Sequence, residues 1–115
     1  MSKRGDRKRL SMNINNKSVA PVLDQVVPIL QALKPYLYER WSITELAIFG
    51  SVARGESKAD SDIDILFDYD RPLGLELVTL GDFLEENLQN KVDLLSKKAV
   101  RPRIWEFISE EMRYV

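Results

Sequence analysis

The sequence predicts an α+β fold, and two observations carry this prediction. Apolar residues recur at steps of three and four positions in three segments, as they do on one face of a helix. Three other short segments alternate or run together as β-strands do. In chain order the predicted elements are helix, strand, strand, helix, strand and helix. At 115 residues the chain has room for one compact core and for no second full domain.

The first predicted helix spans residues 22–40. Its apolar residues follow helical steps: Val22, Val26, Ile29, Leu30, Leu33 and Leu37. Pro28 and Pro35 fall inside this segment, where a proline removes a backbone hydrogen bond and clashes with the preceding turn. The sequence therefore predicts a helix here and leaves open whether it kinks at Pro28 or starts there.

Two strands and a helical turn are predicted in the centre of the chain. Residues 45–49 form an apolar run that Gly50 stops, which indicates a buried strand. Residues 62–68 alternate between two faces of a second strand. One face carries Ile63, Ile65 and Phe67, and the other carries Asp62, Asp64, Leu66 and Asp68. The connection of about a dozen residues is too long for a tight hairpin, and we expect a short helix that begins near Ser51.

The C-terminal part of the chain predicts a helix, a strand and a helix. Five leucines fall on one stripe of a helix over residues 75–89: Leu73, Leu77, Leu80, Leu84 and Leu88. Residues 91–95 indicate a third short strand. Pro102 suits the first turn of a last helix. We expect the buried side of that helix to carry Ile104, Trp105, Ile108 and Met112.

The formal net charge of −1 conceals two charged segments. Residues 1–17 are polar and basic and carry too little apolar surface to offset the entropy of ordering. We expect them to form a flexible arm ahead of a single domain over residues 18–115. Such an arm can bind RNA or an acidic protein face, but a solvated tail is the simpler interpretation. Residues 56–70 are acidic instead, and a cluster of carboxylates usually binds a cation.

The chain contains no cysteine and no histidine. The first absence excludes disulfides and thiolate chemistry. The second removes the commonest metal ligand and the commonest base at neutral pH, so catalysis must depend on carboxylates, hydroxyls, cations or a bound metal. No signal-peptide pattern follows the basic N-terminus, and no run of about 18 apolar residues occurs. These observations predict a soluble, cytoplasmic protein.

The spacing of Asp62 and Asp64 favours a metal site. On a strand the two residues share a face, with their Cα atoms about 6.6 to 7 Å apart, so their carboxylates can converge. Neighbouring carboxylates repel each other, and a divalent cation removes the repulsion. Mg²⁺ typically takes one or two carboxylates together with waters and substrate phosphates. Taken alone, however, Asp-x-Asp is more often the charged outer face of a strand.

Gly50 and Ser51, directly after the first strand, favour a phosphate-binding turn. Glycine lets the backbone approach a ligand closely, and a helix that starts at Ser51 directs N–H groups and a hydroxyl at an anion. Alone, Gly-Ser is better explained as an ordinary helix cap, but an adjacent second strand would bring both aspartates beside it. The pattern is not a Walker loop. Arg54 either contacts the triphosphate or pairs with a neighbour such as Glu56 or Asp60.

Asp93 interrupts an otherwise apolar strand. A buried, unpaired carboxylate is costly, so this position indicates either a functional group or an edge strand whose aspartate faces solvent. If the third strand lies beside the second, Asp93 completes a cluster with Asp62 and Asp64. It would then bridge to the metal or accept a proton from an attacking hydroxyl.

These residues resemble the nucleotidyltransferases related to DNA polymerase beta. The shared signature is Gly50-Ser51, ten intervening residues and Asp62-Ile63-Asp64. Residues 46–55, 61–66, 71–75 and 91–95 resemble the smallest branch, the minimal nucleotidyltransferases. The resemblance covers residues 30–115, and the basic arm lies outside it.

The resemblance implies a small mixed β-sheet flanked by helices. It also implies Mg²⁺, two ions during catalysis, bound by Asp62, Asp64 and Asp93, and triphosphate contacts at Gly50 and Ser51. The implied reaction transfers AMP from ATP to an acceptor hydroxyl and releases pyrophosphate. Members of this branch are commonly antitoxins that attach AMP to a tyrosine of a HEPN-domain RNase toxin, which implies such a toxin as the partner.

Two other functions stay open. The same chemistry serves an RNA 3′-hydroxyl or a small molecule such as an aminoglycoside, with the basic arm assisting in the RNA case. A non-catalytic antitoxin would instead neutralise its partner by binding alone. Because the sequence shows a bare catalytic domain, we expect a partner protein to supply the acceptor.

Overall fold

The computed structural model describes residues 19–115, so the predicted arm over residues 1–17 lies outside the described part. The elements, in chain order, are helix α1 (Leu23–Trp41), strand β1 (Ile43–Phe49), helix α2 (Gly50–Arg54), strand β2 (Ile63–Tyr69), helix α3 (Glu76–Leu88), strand β3 (Val92–Ser96), helix α4 (Pro102–Ile108) and strand β4 (Arg113–Tyr114). Two short 3₁₀ helices, Lys97–Ala99 and Ser109–Glu111, lie before and after α4. The predicted α+β fold class is confirmed.

The four strands form one mixed sheet in the order β3, β2, β1, β4. Strand β1 pairs antiparallel with β2 and with β4, whereas β2 and β3 are parallel. Asp64 on β2 is paired with Phe49 of β1 on one side and with Asp93 of β3 on the other. Strand β2 therefore places Asp64 between the end of β1 and the aspartate of β3.

Alternation gives β2 two different faces. Ile63, Ile65 and Phe67 are at most 2% exposed and belong to the main hydrophobic core. Helices α1 and α3 supply the other side of that core with Val26, Leu30, Leu37, Trp41, Leu80 and Leu84. The opposite face of β2 carries Asp64, Leu66 and Asp68, of which only Leu66 is buried. The core face thus fixes the position of β2, and the other face keeps its two aspartates in contact with solvent.

Helix α1 continues through Pro28 and Pro35, which excludes a fresh start at Pro28. Both prolines are exposed, on the side of the helix away from its buried residues. The helix ends where Ser42 adopts a left-handed conformation, φ 59°, and donates its N–H to carbonyl oxygens of the last turn. Neither α1 nor any other helix in the described part of the chain is long and apolar enough to cross a membrane.

The C-terminal segment departs from the sequence-based expectation. Helix α4 has only seven residues, and Ile104, expected on its buried side, is 47% exposed. Its buried side is carried instead by Ile108 and, in part, by Trp105. The chain then makes a 3₁₀ turn and a two-residue strand, β4, which the sequence did not predict because so short a segment shows no alternation. Leu77, on the predicted α3 stripe, is also 40% exposed.

Candidate active site

The Gly-Ser and Asp-x-Asp motifs lie together at one end of the two central strands. Phe49, the last residue of β1, pairs with Asp64, and Gly50 and Ser51 open α2 directly after it. Because β1 and β2 are antiparallel, the end of β1 and the start of β2 lie side by side at the same end of the sheet. Asp62 lies one residue before β2. The predicted proximity of the two motifs is thus observed.

Gly50 lies so close to Asp64 that no side chain fits between them. A Cβ atom at Gly50 would overlap Asp64 Oδ2 and lie 3.0 Å from Asp64 Cγ. The backbone at Gly50 is also left-handed, with φ +75°, a conformation that residues with a Cβ rarely adopt. Two separate constraints therefore require glycine at the first residue of α2, and its absent side chain lets the turn contact the aspartate.

Strand β3 lies beside β2, the condition under which Asp93 was expected to join the cluster. Asp93 is paired with Asp64 in the parallel register. Paired residues on neighbouring strands point to the same face, with the strands about 4.8 Å apart. However, β3 is also an edge strand of this sheet and Asp93 is exposed. The position of Asp93 beside Asp64, and not its burial, is what makes it a candidate.

The carboxylate of Asp64 is electrostatically unfavourable in the metal-free protein. Partial burial, followed by the negative charges of Asp93, Asp62 and Glu111, raises the pKa of Asp64 to about 6, while Arg54 opposes the shift. A divalent cation would remove this repulsion and favour the ionised form. The electrostatics of the site therefore suit a cation ligand.

The three aspartates match Mg²⁺ in donor type. Carboxylate oxygens are the hard ligands that Mg²⁺ prefers, and the ion usually leaves several positions to water and substrate phosphate. Within residues 19–115, no group of three or more carboxylate, imidazole or thiolate side chains lies close enough together to hold a metal ion. The structure thus brings Asp62, Asp64 and Asp93 to the same end of neighbouring strands without forming a three-ligand metal site.

Glu111 contacts the Gly-Ser turn and was not identified from the sequence. Its Oε2 accepts a hydrogen bond of 2.8 Å from the backbone N–H of Gly50. Its Oε1 accepts one of 2.9 Å from Nη1 of Arg54, whose Nε donates to Glu56 at 2.9 Å. Of the two alternatives for Arg54, pairing with a neighbouring glutamate is the one observed. No sequence signal points to Glu111, because it lies 61 residues after Gly50 and belongs to none of the motifs.

Comparison with known proteins assigns the chain to a family. The nucleotidyltransferase domain model matches residues 30–115. Protein adenylyltransferase MntA from Thermococcus cleftensis is 39% identical over 94 residues, which is 81% of this chain and 95% of that protein.

Solved structures of known proteins share the fold of this chain. A structure described provisionally as a minimal nucleotidyltransferase has a TM-score of 0.61 and 30% identity, covering 78% of this chain and 88% of that one. The complex of a tri-AMPylated Shewanella oneidensis HEPN toxin with its MNT antitoxin contains a chain with a TM-score of 0.51. That match has 17% identity and covers 90% of this chain and 71% of that one, so it shows the fold alone. The family match and the similarity to MntA together show that this chain belongs to the nucleotidyltransferase domain family.

Proposed function

We propose that this chain is an antitoxin that transfers AMP from Mg-ATP to a tyrosine hydroxyl of a cognate HEPN RNase toxin. The observation that carries the proposal is the contact between the Gly50 turn and Asp64, with Asp93 paired beside it. The name of the Thermococcus relative, protein adenylyltransferase, supports AMP transfer to a protein. The Shewanella complex, in which a HEPN toxin is AMPylated, supports the choice of acceptor. We keep the cytoplasmic location as a prediction, with which the lack of cysteine is compatible.

The aspartates and the Gly-Ser turn have separate tasks in this proposal. Asp62, Asp64 and Asp93 would hold Mg²⁺, with two ions during catalysis. Bound Mg²⁺ would neutralise phosphate charge and polarise the reacting oxygens. Gly50 and Ser51 would bind the triphosphate through backbone N–H groups and the serine hydroxyl. The chain's own contribution is therefore to hold the triphosphate beside a cluster of carboxylates.

The transfer is a displacement at the α-phosphorus of ATP. A bond forms between the acceptor oxygen and the α-phosphorus, and the bond to the oxygen that bridges to the β-phosphate breaks, so that pyrophosphate leaves. Asp93 would take the proton of the incoming hydroxyl, a role that its exposure and its position beside Asp64 support. With no histidine in the chain, a carboxylate is the available base. Arg54, whose side chain is 45% exposed, would contact the negatively charged phosphates.

Intact-mass measurement tests the proposal directly. The full chain is incubated with Mg-ATP and with the protein encoded beside it, and the masses of both proteins are recorded. We expect the partner to gain mass in units of AMP, and Asp64→Asn to abolish the gain. Asp82→Asn is the matched control, since Asp82 is an exposed aspartate on α3.

Other outcomes distinguish the alternatives. A partner that is inhibited without any gain in mass contradicts the enzymatic antitoxin and supports neutralisation by binding alone. Transfer of label from ATP to RNA or to a small molecule, with the partner unchanged, identifies a different acceptor.

A further inference from the structure

One carboxylate holds two groups that the proposed function assigns to the nucleotide. The backbone N–H of Gly50 and the guanidinium of Arg54 both donate to Glu111, one to each of its oxygens, at 2.8 and 2.9 Å. An N–H group has a single hydrogen to donate, so a phosphate oxygen and Glu111 cannot both accept a full hydrogen bond from Gly50. In this structure Glu111 already accepts from this donor.

The backbone after Glu111 pairs with the sheet, while the Glu111 side chain is partly exposed. Glu111 ends the 3₁₀ helix Ser109–Glu111, and Arg113, two residues later, pairs with Ile48 of β1. The Glu111 side chain is 20% exposed and that of Arg54 is 45% exposed. A rotation of the Glu111 side chain toward solvent would therefore free both donors without moving the strand that follows.

Electrostatics also favour exchange of Glu111 for a ligand. The Glu111 carboxylate accepts from the N–H of Gly50, which lies against Asp64, so Glu111 adds a negative charge close to that aspartate. Its place in an acidic site is stabilised by the hydrogen bonds from Gly50 and Arg54. A metal-bound triphosphate offers the same donors several anionic oxygens and brings its own cation, whereas Glu111 brings no cation.

We propose that Glu111 is an internal competitor of the triphosphate, which holds the Gly50 N–H and Arg54 in the free protein and releases both when nucleotide binds. This inference rests on the nucleotide binding proposed above. The apparent affinity equals the intrinsic affinity multiplied by the fraction of molecules in which the site is free. Glu111 therefore sets the nucleotide affinity of this chain, and releasing Arg54 from it is part of binding.

Calorimetric titration of the full chain with the magnesium complex of AMP-PNP, a non-hydrolysable ATP analogue, tests the competition. Glu111→Gln removes the charge but keeps the side-chain length, and we expect it to lower the dissociation constant about three- to tenfold, because charge-assisted hydrogen bonds are replaced by weaker ones. Magnesium tripolyphosphate should show the same gain, since the competition concerns phosphate oxygens. Glu110→Gln, an exposed neighbour, is the control and should leave the dissociation constant unchanged.

A second variant separates contact from charge. Glu111→Asp keeps the negative charge but is one methylene shorter, so it should also tighten binding if the direct contacts are what compete. Binding by Glu111→Asp like wild type, with tightening only in Glu111→Gln, would show a long-range charge effect and overturn the proposal. Weaker binding by Glu111→Gln would show that Glu111 merely supports the turn, which also overturns it. If wild type and all variants fail to bind nucleotide, the proposed function fails as well, whereas binding by wild type with no tightening in Glu111→Gln rejects the competitor alone.

Discussion

Asp64 and Asp68 lie on the same face of β2, four residues apart, in opposite environments. Burial and neighbouring carboxylates raise the pKa of Asp64 to about 6. A hydrogen bond from Lys98 lowers the pKa of Asp68, and the Asp68 carboxylate also accepts from the backbone N–H of Tyr69. On one strand, therefore, the carboxylate of Asp64 is repelled by its neighbours, whereas that of Asp68 is paired with a cation.

The difference supports the role proposed for Asp64 and indicates a structural one for Asp68. A carboxylate placed for stability has a cation and an amide beside it, as Asp68 has. A carboxylate kept beside other carboxylates is stabilised only when a ligand arrives, and perturbed groups of this kind concentrate at functional sites. Asp64 has carboxylates for neighbours, which supports the metal-binding role proposed for it in a chain of the nucleotidyltransferase domain family.

The largest effect should come from closing the gap between Gly50 and Asp64. Gly50→Ala places a methyl group against Asp64 Oδ2, and we expect AMP transfer to fall at least about 100-fold because the aspartate or the turn must shift. Gly55→Ala is a matched control, since Gly55 has nearly the same φ, +74°, and no atom within 4 Å of an added Cβ. Gly50→Ala should also lose more stability than Gly55→Ala, because it adds the overlap with Asp64 to the same unfavourable φ, so transfer is compared per folded molecule. Equal loss of transfer in both would show that backbone strain, and not the Asp64 contact, is responsible.

A change on the core face of β2 should act on stability alone. Ile65 is fully buried among α1 and α3 residues, and Ile65→Ala should lower the free energy of unfolding by about 2 to 5 kcal/mol, as cavities in cores do. Urea denaturation measures the loss. The transfer rate per folded molecule should stay near the wild-type value. A selective loss of transfer in fully folded protein would show that the two faces of the strand are not independent.

Removing the charge of Asp64 should stabilise the metal-free fold at neutral pH. The folded-state pKa, about 6, lies above the unfolded value of about 3.9, so ionisation above pH 6 has a cost in the folded protein that is absent below pH 4. Asp64→Asn, measured by urea denaturation with chelator present, should therefore gain on the order of 1 kcal/mol at pH 8, a value reduced for partial exposure. The gain should vanish at pH 4. Asp64→Asn less stable than wild type at pH 8 would contradict the repulsion described for this site.

The smallest effect should come from the paired end of the strand. Lys98→Ala removes the cation beside Asp68 and should cost about 0.2 to 1 kcal/mol, because the Lys98 side chain is 51% exposed and exposed pairs contribute little. In wild type, the ionised Asp68 contributes stability at pH values above its unfolded pKa, and this stability is lost as the pH falls through its lowered folded pKa. Thermal unfolding at low and high salt measures the pair, and a loss larger than that of Ile65→Ala would reverse the ranking.

The local motifs could be predicted from the sequence, and the long-range contacts could not. Periodicity located α1, α3 and the first three strands within one or two residues, whereas α4 ends at Ile108, before the expected Met112. The spacing of Gly50 and Asp64 predicted their proximity. The placement of Asp93 beside Asp64 depended on which strand β3 would join, which pattern alone does not determine. Glu111 and β4 were missed because they are defined by contacts with residues about 60 positions away and by no local pattern. The metal-binding and nucleotide-binding roles of these residues stay predictions.

The antiparallel pairing of β1 and β2 has a consequence for the order in which the site is assembled. The connection from β1 to β2, with the first residues of β2, carries five of the candidate site residues, which come together when this short loop closes: Gly50, Ser51, Arg54, Asp62 and Asp64. Asp93 and Glu111 arrive only when β3 and the C-terminal turn dock. A nascent chain that ends before Asp93 would thus carry Gly50, Asp62 and Asp64 without Asp93, and we expect it to modify no acceptor until β3 has been synthesised.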